Sequence, residues 1–148
     1  MKKYFCLALM AMFMTSVFAC SDDEETINPV SLPQTAQSFI SQHFAGNDIK
    51  RVEKDNDHSG TEYKVYFADG YEVEFNASGE WTDVDAPAGR VVPAGVVPAP
   101  IAECVASKFP NDGGVNEISR EYSGYDVELI SGRDLKFNSE GVLISPVM

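Results

Sequence analysis

Asp55-Asn56-Asp57-His58-Ser59-Gly60-Thr61-Glu62 is the stretch of this 148-residue sequence that most resembles a metal site. Oxygen donors at alternate positions ahead of a glycine are how a helix-flanked calcium loop begins. Such a loop needs a bidentate Glu at its twelfth position, whereas counting from Asp55 places Tyr66 there, and the flanks alternate as strands. A polar hairpin loop accounts for the composition, leaving Asp55, Asp57 and Ser59 as candidate cation donors. His58 could pair with a carboxylate as a base, but no motif places a Ser or Cys nucleophile beside it. Glu72 and Glu74 share one face of a strand, about 7 Å apart, which is near glycosidase spacing. Two acids on an outward strand without a shaped pocket read as solvated surface. His43 reads as a helix-boundary residue and Cys104 as a small apolar one. No catalytic residue and no cofactor emerge.

The elements that carry these residues are written twice. Leu32-Pro33 through Phe44 aligns with Val97-Pro98 through Phe109, and Tyr63 through Gly79 aligns without a gap with Tyr125 through Gly141. Each copy opens on a helix, Pro33 and Pro98 suiting the first turn, with Ala36, Phe39, Ile40 and Phe44, or Ile101, Cys104, Val105 and Phe109, at helical spacing. Period-two patterns follow. Tyr63, Val65 and Phe67 point one way, and beyond a tight Asp69-Gly70 turn so do Tyr71, Val73 and Phe75. Tyr125, Val127, Leu129, Leu135 and Phe137 repeat this around Ser131-Gly132. With strands near Ile49 to Lys54, Trp81 to Val84, Val115 to Arg120 and Val142 to Ile144, each copy has four. A unit of this size buries too little surface alone, so the expected fold is α+β: two tandem helix-plus-four-stranded antiparallel meanders forming one continuous sheet with both helices on one face. Lys64, Tyr66, Glu72, Glu74, Asp126, Glu128, Asp134 and Lys136 fall on the opposite, wet face.

Ahead of the copies, Lys2-Lys3 and an apolar run from Tyr4 to Phe18 match the charged and hydrophobic parts of a secretory signal. Val17-Phe18-Ala19-Cys20 resembles a bacterial lipoprotein signal, cut before a cysteine that is then acylated. Ser21-Asp22-Asp23-Glu24-Glu25 resembles a surface-export signal of Gram-negative lipoproteins, or is a solvated acidic tether. The organisation is therefore signal 1–19, tether 20–30, repeat 31–85, a Pro/Gly-rich connector 86–96 whose prolines suggest an extended spacer, and repeat 97–148. Removing the two signal lysines takes the formal charge from −12 to −14. No basic face exists for nucleic acid. With Cys6 in the signal and Cys20 acylated, Cys104 is left without a disulfide partner.

Leu-Pro, a helix ending in Phe, Tyr-x-Val-x-Phe, Glu72-Val73-Glu74-Phe75-Asn76 and Gly79-Glu80-Trp81-Thr82-Asp83-Val84-Asp85 together resemble the PepSY-like, beta-lactamase-inhibitor-like family of secreted proteins. That resemblance implies a fold similar to a beta-lactamase inhibitory protein, a sheet face available for protein contact, and no catalytic residues. The expected function is a lipid-anchored, non-enzymatic binding module of the Gram-negative outer membrane, at the surface or facing the periplasm. Its candidate binding face is Lys64, Tyr66, Glu72, Glu74, Asp126, Glu128 and Lys136, and its partner a protein such as a secreted or envelope enzyme. The alternative is a lipoprotein holding a small ligand or cation in the Asp55–Glu62 loop or in a crevice between the copies.

Overall fold

The computed structural model describes residues 25–147. The apolar run, Cys20 and the acidic residues up to Glu24 lie outside the described residues. In chain order the elements are β1 (Glu25–Thr26), a 3-10 turn (Pro29–Ser31), α1 (Gln34–His43), β2 (Ile49–Asp57), β3 (Gly60–Phe67), β4 (Glu72–Asn76), β5 (Trp81–Asp85), α2 (Ala99–Lys108), β6 (Val115–Glu121), β7 (Gly124–Leu129), β8 (Asp134–Asn138) and β9 (Leu143–Val147). All strands join one antiparallel sheet whose spatial order is the chain order, β1 to β9. Among the described residues the fold is thus α+β, with one sheet and two helices.

Both helices begin one residue after the expected proline. Pro33 and Pro98 are the caps, and their carbonyls accept from Gln37 N–H at 3.1 Å and Ala102 N–H at 3.0 Å. A proline has no N–H to lose there, and its restricted φ suits entry to the helix. Each helix ends on an aromatic residue whose N–H reaches back, Phe44 to Ile40 and Phe109 to Val105.

Alternate strand positions fill the core. Val52, Val65, Val73, Phe75, Val84, Ile118, Leu129, Leu135 and Phe137 are fully buried in one cluster with Phe44 and Ile101. Burying each such side chain contributes about 1.5–3 kcal/mol. Phe39 of α1 packs edge-on against Phe75 at 5.7 Å and lies over Trp81 at 6.2 Å, while Phe44 stacks on Phe67 at 4.7 Å. Copy 2 puts the aliphatic Leu129 where copy 1 has Phe67.

Four turns share one construction. Phe67 pairs with Tyr71, Asn76 with Glu80, Leu129 with Arg133 and Asn138 with Val142, each enclosing three residues that end in a glycine of positive φ, Gly70, Gly79, Gly132 or Gly141. The turns after β3 and β7 are therefore one residue longer than the two-residue turns expected. A type I turn closes with an extra residue in the left-handed region, which glycine adopts at little cost.

Three further differences from the sequence reading have physical causes. Glu25–Thr26, within the segment read as tether, is a strand against Lys54 and Glu53, and Ile27 packs on the core, so the described residues hold nine strands. β2 runs on to Asp57, because Asp55, Asn56 and Asp57 pair with Glu62, Thr61 and Gly60; the loop shrinks to His58-Ser59. The connector is not an extended spacer: it folds into turns at Pro87–Arg90 and Pro93–Val96 and buries Val92 and Val96. Asn116 holds it by donating to Arg90 O at 2.8 Å and Ala86 O at 3.0 Å.

Gly79 tests the fit of turn to helix. A Cβ there would lie 2.7 Å from Pro33 Cβ and 2.9 Å from Ala36 N, at φ +80°, whereas Gly89 has φ +78° and nothing within 4 Å. Gly79→Ala is expected to cost about 2–3 kcal/mol in urea unfolding, and Gly89→Ala about 1 kcal/mol from backbone strain alone.

Candidate functional site

The strand positions that alternate with the buried ones carry most of the charge, and strand register sorts them into two rows. One row reads Tyr66, Glu72, Asp85, Glu117, Glu128, Asp134 across β3 to β8, each residue directly opposite the next. The neighbouring row reads Glu53, Lys64, Glu74, Asp83, Ser119, Asp126, Lys136 across β2 to β8. Five acids thus stand side by side on five adjacent strands. Like charges directly opposite repel, so this row opposes folding.

The ends of the face are compensated. Lys64 Nζ bridges Glu72 at 3.0 Å and Glu74 at 3.1 Å, and Lys136 Nζ meets Asp126 at 2.9 Å. Burial lowers the Lys64 pKa, but the two glutamates outweigh it and hold the ammonium above its ordinary value. Tyr66, expected as an exposed anchor, is half-buried: its hydroxyl donates to Glu53 at 2.9 Å and Arg51 lies 4.2 Å over its ring. It is a contact inside copy 1, with one edge left to solvent.

No basic side chain is salt-bridged to Asp85, Glu117, Glu128 or Asp134 among the described residues. Glu117 is pushed up to about 7, first by burial and then by repulsion from Asp83, Asp85, Glu128 and Asp134. Burial also raises Asp83, which a hydrogen bond from the Ser119 hydroxyl partly offsets, and Asp85, with Glu72 and Glu128 adding repulsion. A shallow hollow of about 240 Å³ opens here, lined by Glu117, Ser119, Asp126, Glu128, Asp134 and Lys136.

Of the sequence candidates, the structure brings Lys64, Glu72 and Glu74 together, and Asp126 with Lys136, on outward positions. Glu117 and Asp85, the most perturbed of the unbridged acids, were missed as candidates. The reason is a bulge in each strand pairing, between Glu74 and Phe75 in β4 against β5, and between Val115 and Glu117 in β6. Each shifts the alternation, so that Trp81 and Val84, or Val115 and Ile118, are buried three apart.

The loop that held the candidate cation donors is a tight polar hairpin turn between Asp57 and Gly60. Asp57 Oδ1 accepts from Ser59 N–H at 2.7 Å and Gly60 N–H at 3.1 Å, and these bonds, led by the Ser59 hydroxyl, hold its pKa low. Among the described residues no group of three His, Cys, Asp or Glu side chains is placed to hold a metal ion. His43 is half-buried against Phe39 at 4.7 Å, and Cys104 is half-buried at the edge of the core. An apolar groove of about 450 Å³ lies between α2 and the connector, with Val91, Val92 and Ala94 of the connector facing Ala102, Val105 and Phe109. In copy 1 Gln37, the counterpart of Ala102, ties α1 to the preceding turn by donating to Leu32 O at 2.8 Å.

The described residues thus form a one-sheet α+β fold with a charged outward sheet surface. The chain belongs to the family described as "Putative beta-lactamase-inhibitor-like, PepSY-like", whose model matches it twice, over residues 22–62 and 61–145. No curated protein is matched. Among solved structures, a protein of Bacteroides vulgatus described as "a putative periplasmic protein from DUF2874 family" is 34% identical, with 86% of this chain and 99% of that one covered and a TM-score of 0.79. A "putative calcium-regulated periplasmic protein" of Bacteroides thetaiotaomicron is 33% identical, with 86% and 98% covered and a TM-score of 0.81. A further protein of Bacteroides vulgatus, described as "a putative periplasmic protein of unknown function", is 28% identical, with 84% and 99% covered and a TM-score of 0.74. None of the helices in the described residues is long and apolar enough to cross a membrane.

Glu117 gives the acid row a pH signature. A carboxyl whose folded pKa of about 7 exceeds its ordinary 4.5 takes up a proton on folding, so its contribution is fully present below about pH 4.5 and is lost as pH rises through 7. Thermal melts are expected to show Tm falling across that window, and Glu117→Gln should raise Tm at pH 8 and flatten the fall.

Proposed function

We propose that this protein is a lipid-anchored, non-enzymatic protein-binding module of the cell envelope, in which a duplicated helix-plus-meander keeps both helices on one face and offers the other to a partner. The observation that supports this is the row Glu72, Asp85, Glu117, Glu128 and Asp134, held in register across five strands at a cost to folding. Acylation at Cys20 places the protein at the outer membrane, and the acidic run after it directs the module to the surface or leaves it facing the periplasm. Inhibition of a secreted or envelope enzyme is one use of such a face. Capture from envelope extract tests the reading. The triple variant Asp85→Asn, Glu117→Gln, Glu128→Gln should lose partners that the wild type recovers, and equal recovery would remove this face from consideration.

A second reading, calcium binding, is favoured by the description of one relative as calcium-regulated. The outward acids and the Asp55, Asp57 and Ser59 segment supply oxygen donors for it. Saturating calcium would then raise Tm by mass action, about 2.7 kcal/mol of stabilisation at a hundredfold excess over Kd. Titration calorimetry giving no heat, together with an unchanged Tm at millimolar calcium, would retire it.

A further inference from the structure

We infer that the two edges of the sheet are mates for a second copy of this chain, and that β1 and Pro146 keep them apart. The duplication carries the argument. Leu135 pairs with Pro146 and Lys136 with Ser145 as Val73 pairs with Val84 and Glu74 with Asp83, so β9 is the counterpart of β5. Val52 pairs with Val65 and Glu53 with Lys64 as Ile118 pairs with Val127 and Ser119 with Asp126, so β2 is the counterpart of β6. Within one molecule β5 and β6 are joined, with Asp83 opposite Ser119, Val84 opposite Ile118 and Asp85 opposite Glu117. Laying β9 of one molecule against β2 of the next repeats that ladder, with Ser145 opposite Glu53, Pro146 opposite Val52 and Val147 opposite Arg51. No acid faces an acid in it, whereas the internal ladder sets Asp85 against Glu117, so charge is not what keeps molecules from joining.

The backbone closes both edges instead. Ala86 N–H donates to Asn116 O at 2.9 Å, and in an antiparallel pair such positions recur at every second residue, so Val84 also turns its N–H to β6. Proline at the equivalent place, 146, has no N–H to turn. It blunts a strand that carries no charged residue from Leu143 to Val147. At the other edge, Ile27 N–H donates to Val52 O at 2.9 Å, and Glu25 and Thr26 pair with Lys54 and Glu53. Thr26 and Ile27 thus take on β2 the places that Asp83 and Val84 take on β6. An incoming β9 must displace them. Each molecule has one edge of each kind, so without caps the pairing would run on as an open filament rather than close as a dimer.

Two variants of the chain 20–148, each with one edge opened, test this; both carry Cys20→Ser and Cys104→Ala. Glu25→Pro with Ile27→Pro removes the N–H groups that β1 turns to β2 and leaves Pro146 in place. Pro146→Val restores the N–H on β9 and leaves β1 in place. Each alone should remain a monomer by light scattering. Their mixture should form a one-to-one dimer that grows no further, because the outer edges of that pair are still capped. With Glu53→Cys in the first and Ser145→Cys in the second, oxidation should trap roughly tenfold more dimer than the same cysteines trap in chains that keep both caps. Ser139→Cys in place of Ser145→Cys should trap no more than those capped chains do. Circular dichroism melts report whether each variant is folded, and Glu25→Pro alone, which leaves Ile27 in the core, replaces the double proline if that unfolds. Trapping no greater than in the capped chains overturns the inference, as does equal trapping through position 139 or association of either variant with itself.

Discussion

Three cross-strand pairs, Asp83 with Ser119, Val84 with Ile118 and Asp85 with Glu117, join β5 to β6, and the rest of the molecule depends on that short ladder. One side of the join is a helix with five strands and the other a helix with four, each too small to exclude water from its own core. Val84 and Ile118 are fully buried, so the join is also the middle of the hydrophobic cluster. A second clamp sits beside it: Asn116 precedes the ladder and ties down the connector that leads into α2. The join therefore holds by backbone pairing, apolar burial and one amide, against the repulsion of Asp85 and Glu117 across it.

The two copies show how much freedom one scaffold leaves to its surface. Lys64, Tyr66, Glu72 and Glu74 correspond to Asp126, Glu128, Asp134 and Lys136, and strand register puts Arg51 opposite Tyr66 where copy 2 has Glu117 opposite Glu128. Copy 1 neutralises itself with an arginine over a tyrosine and a lysine between two glutamates. Copy 2 keeps the backbone and the core pattern but lacks a basic side chain at the position of Arg51. The inward residues change as well, Phe67 to Leu129, Val73 to Leu135 and the buried Tyr71 to the exposed Arg133, while Val65, Phe75 and their counterparts Val127 and Phe137 keep their types.

Much of this is legible in the sequence itself. Helical spacing located both helices to within a residue or so, because Pro33 and Pro98 mark one end and Phe44 and Phe109 the other. Alternation from Tyr63 to Phe75, and from Tyr125 to Phe137, assigned the inward side chains, since those strands run without a bulge. The outward positions Lys64, Glu72, Glu74, Asp126 and Lys136 followed from the same period. Where a bulge interrupts it, near Phe75 and Asn116, the phase is lost, and with it Glu117. The β1 strand was hidden because two residues carry no period, and the connector because its prolines specify φ but not the contact with Asn116. The pairing of β5 with β6 joins residues on either side of α2, and no local pattern encodes it.

A sheet whose spatial order repeats its chain order has a kinetic side. Most strands meet the strand next to them in sequence through a turn of two or three residues, so the entropy lost on closing each loop is small, and hairpins can form independently. The exceptions are β1 with β2, separated by the 3-10 turn and α1, and β5 with β6, separated by the connector and α2. Contact order is accordingly low except where β1 meets β2 and at the longer β5–β6 seam. Two half-sheets that assemble early and meet late would, while apart, each expose a strand edge of matching shape, and the same ladder that completes one molecule could then join a half of one chain to a half of another.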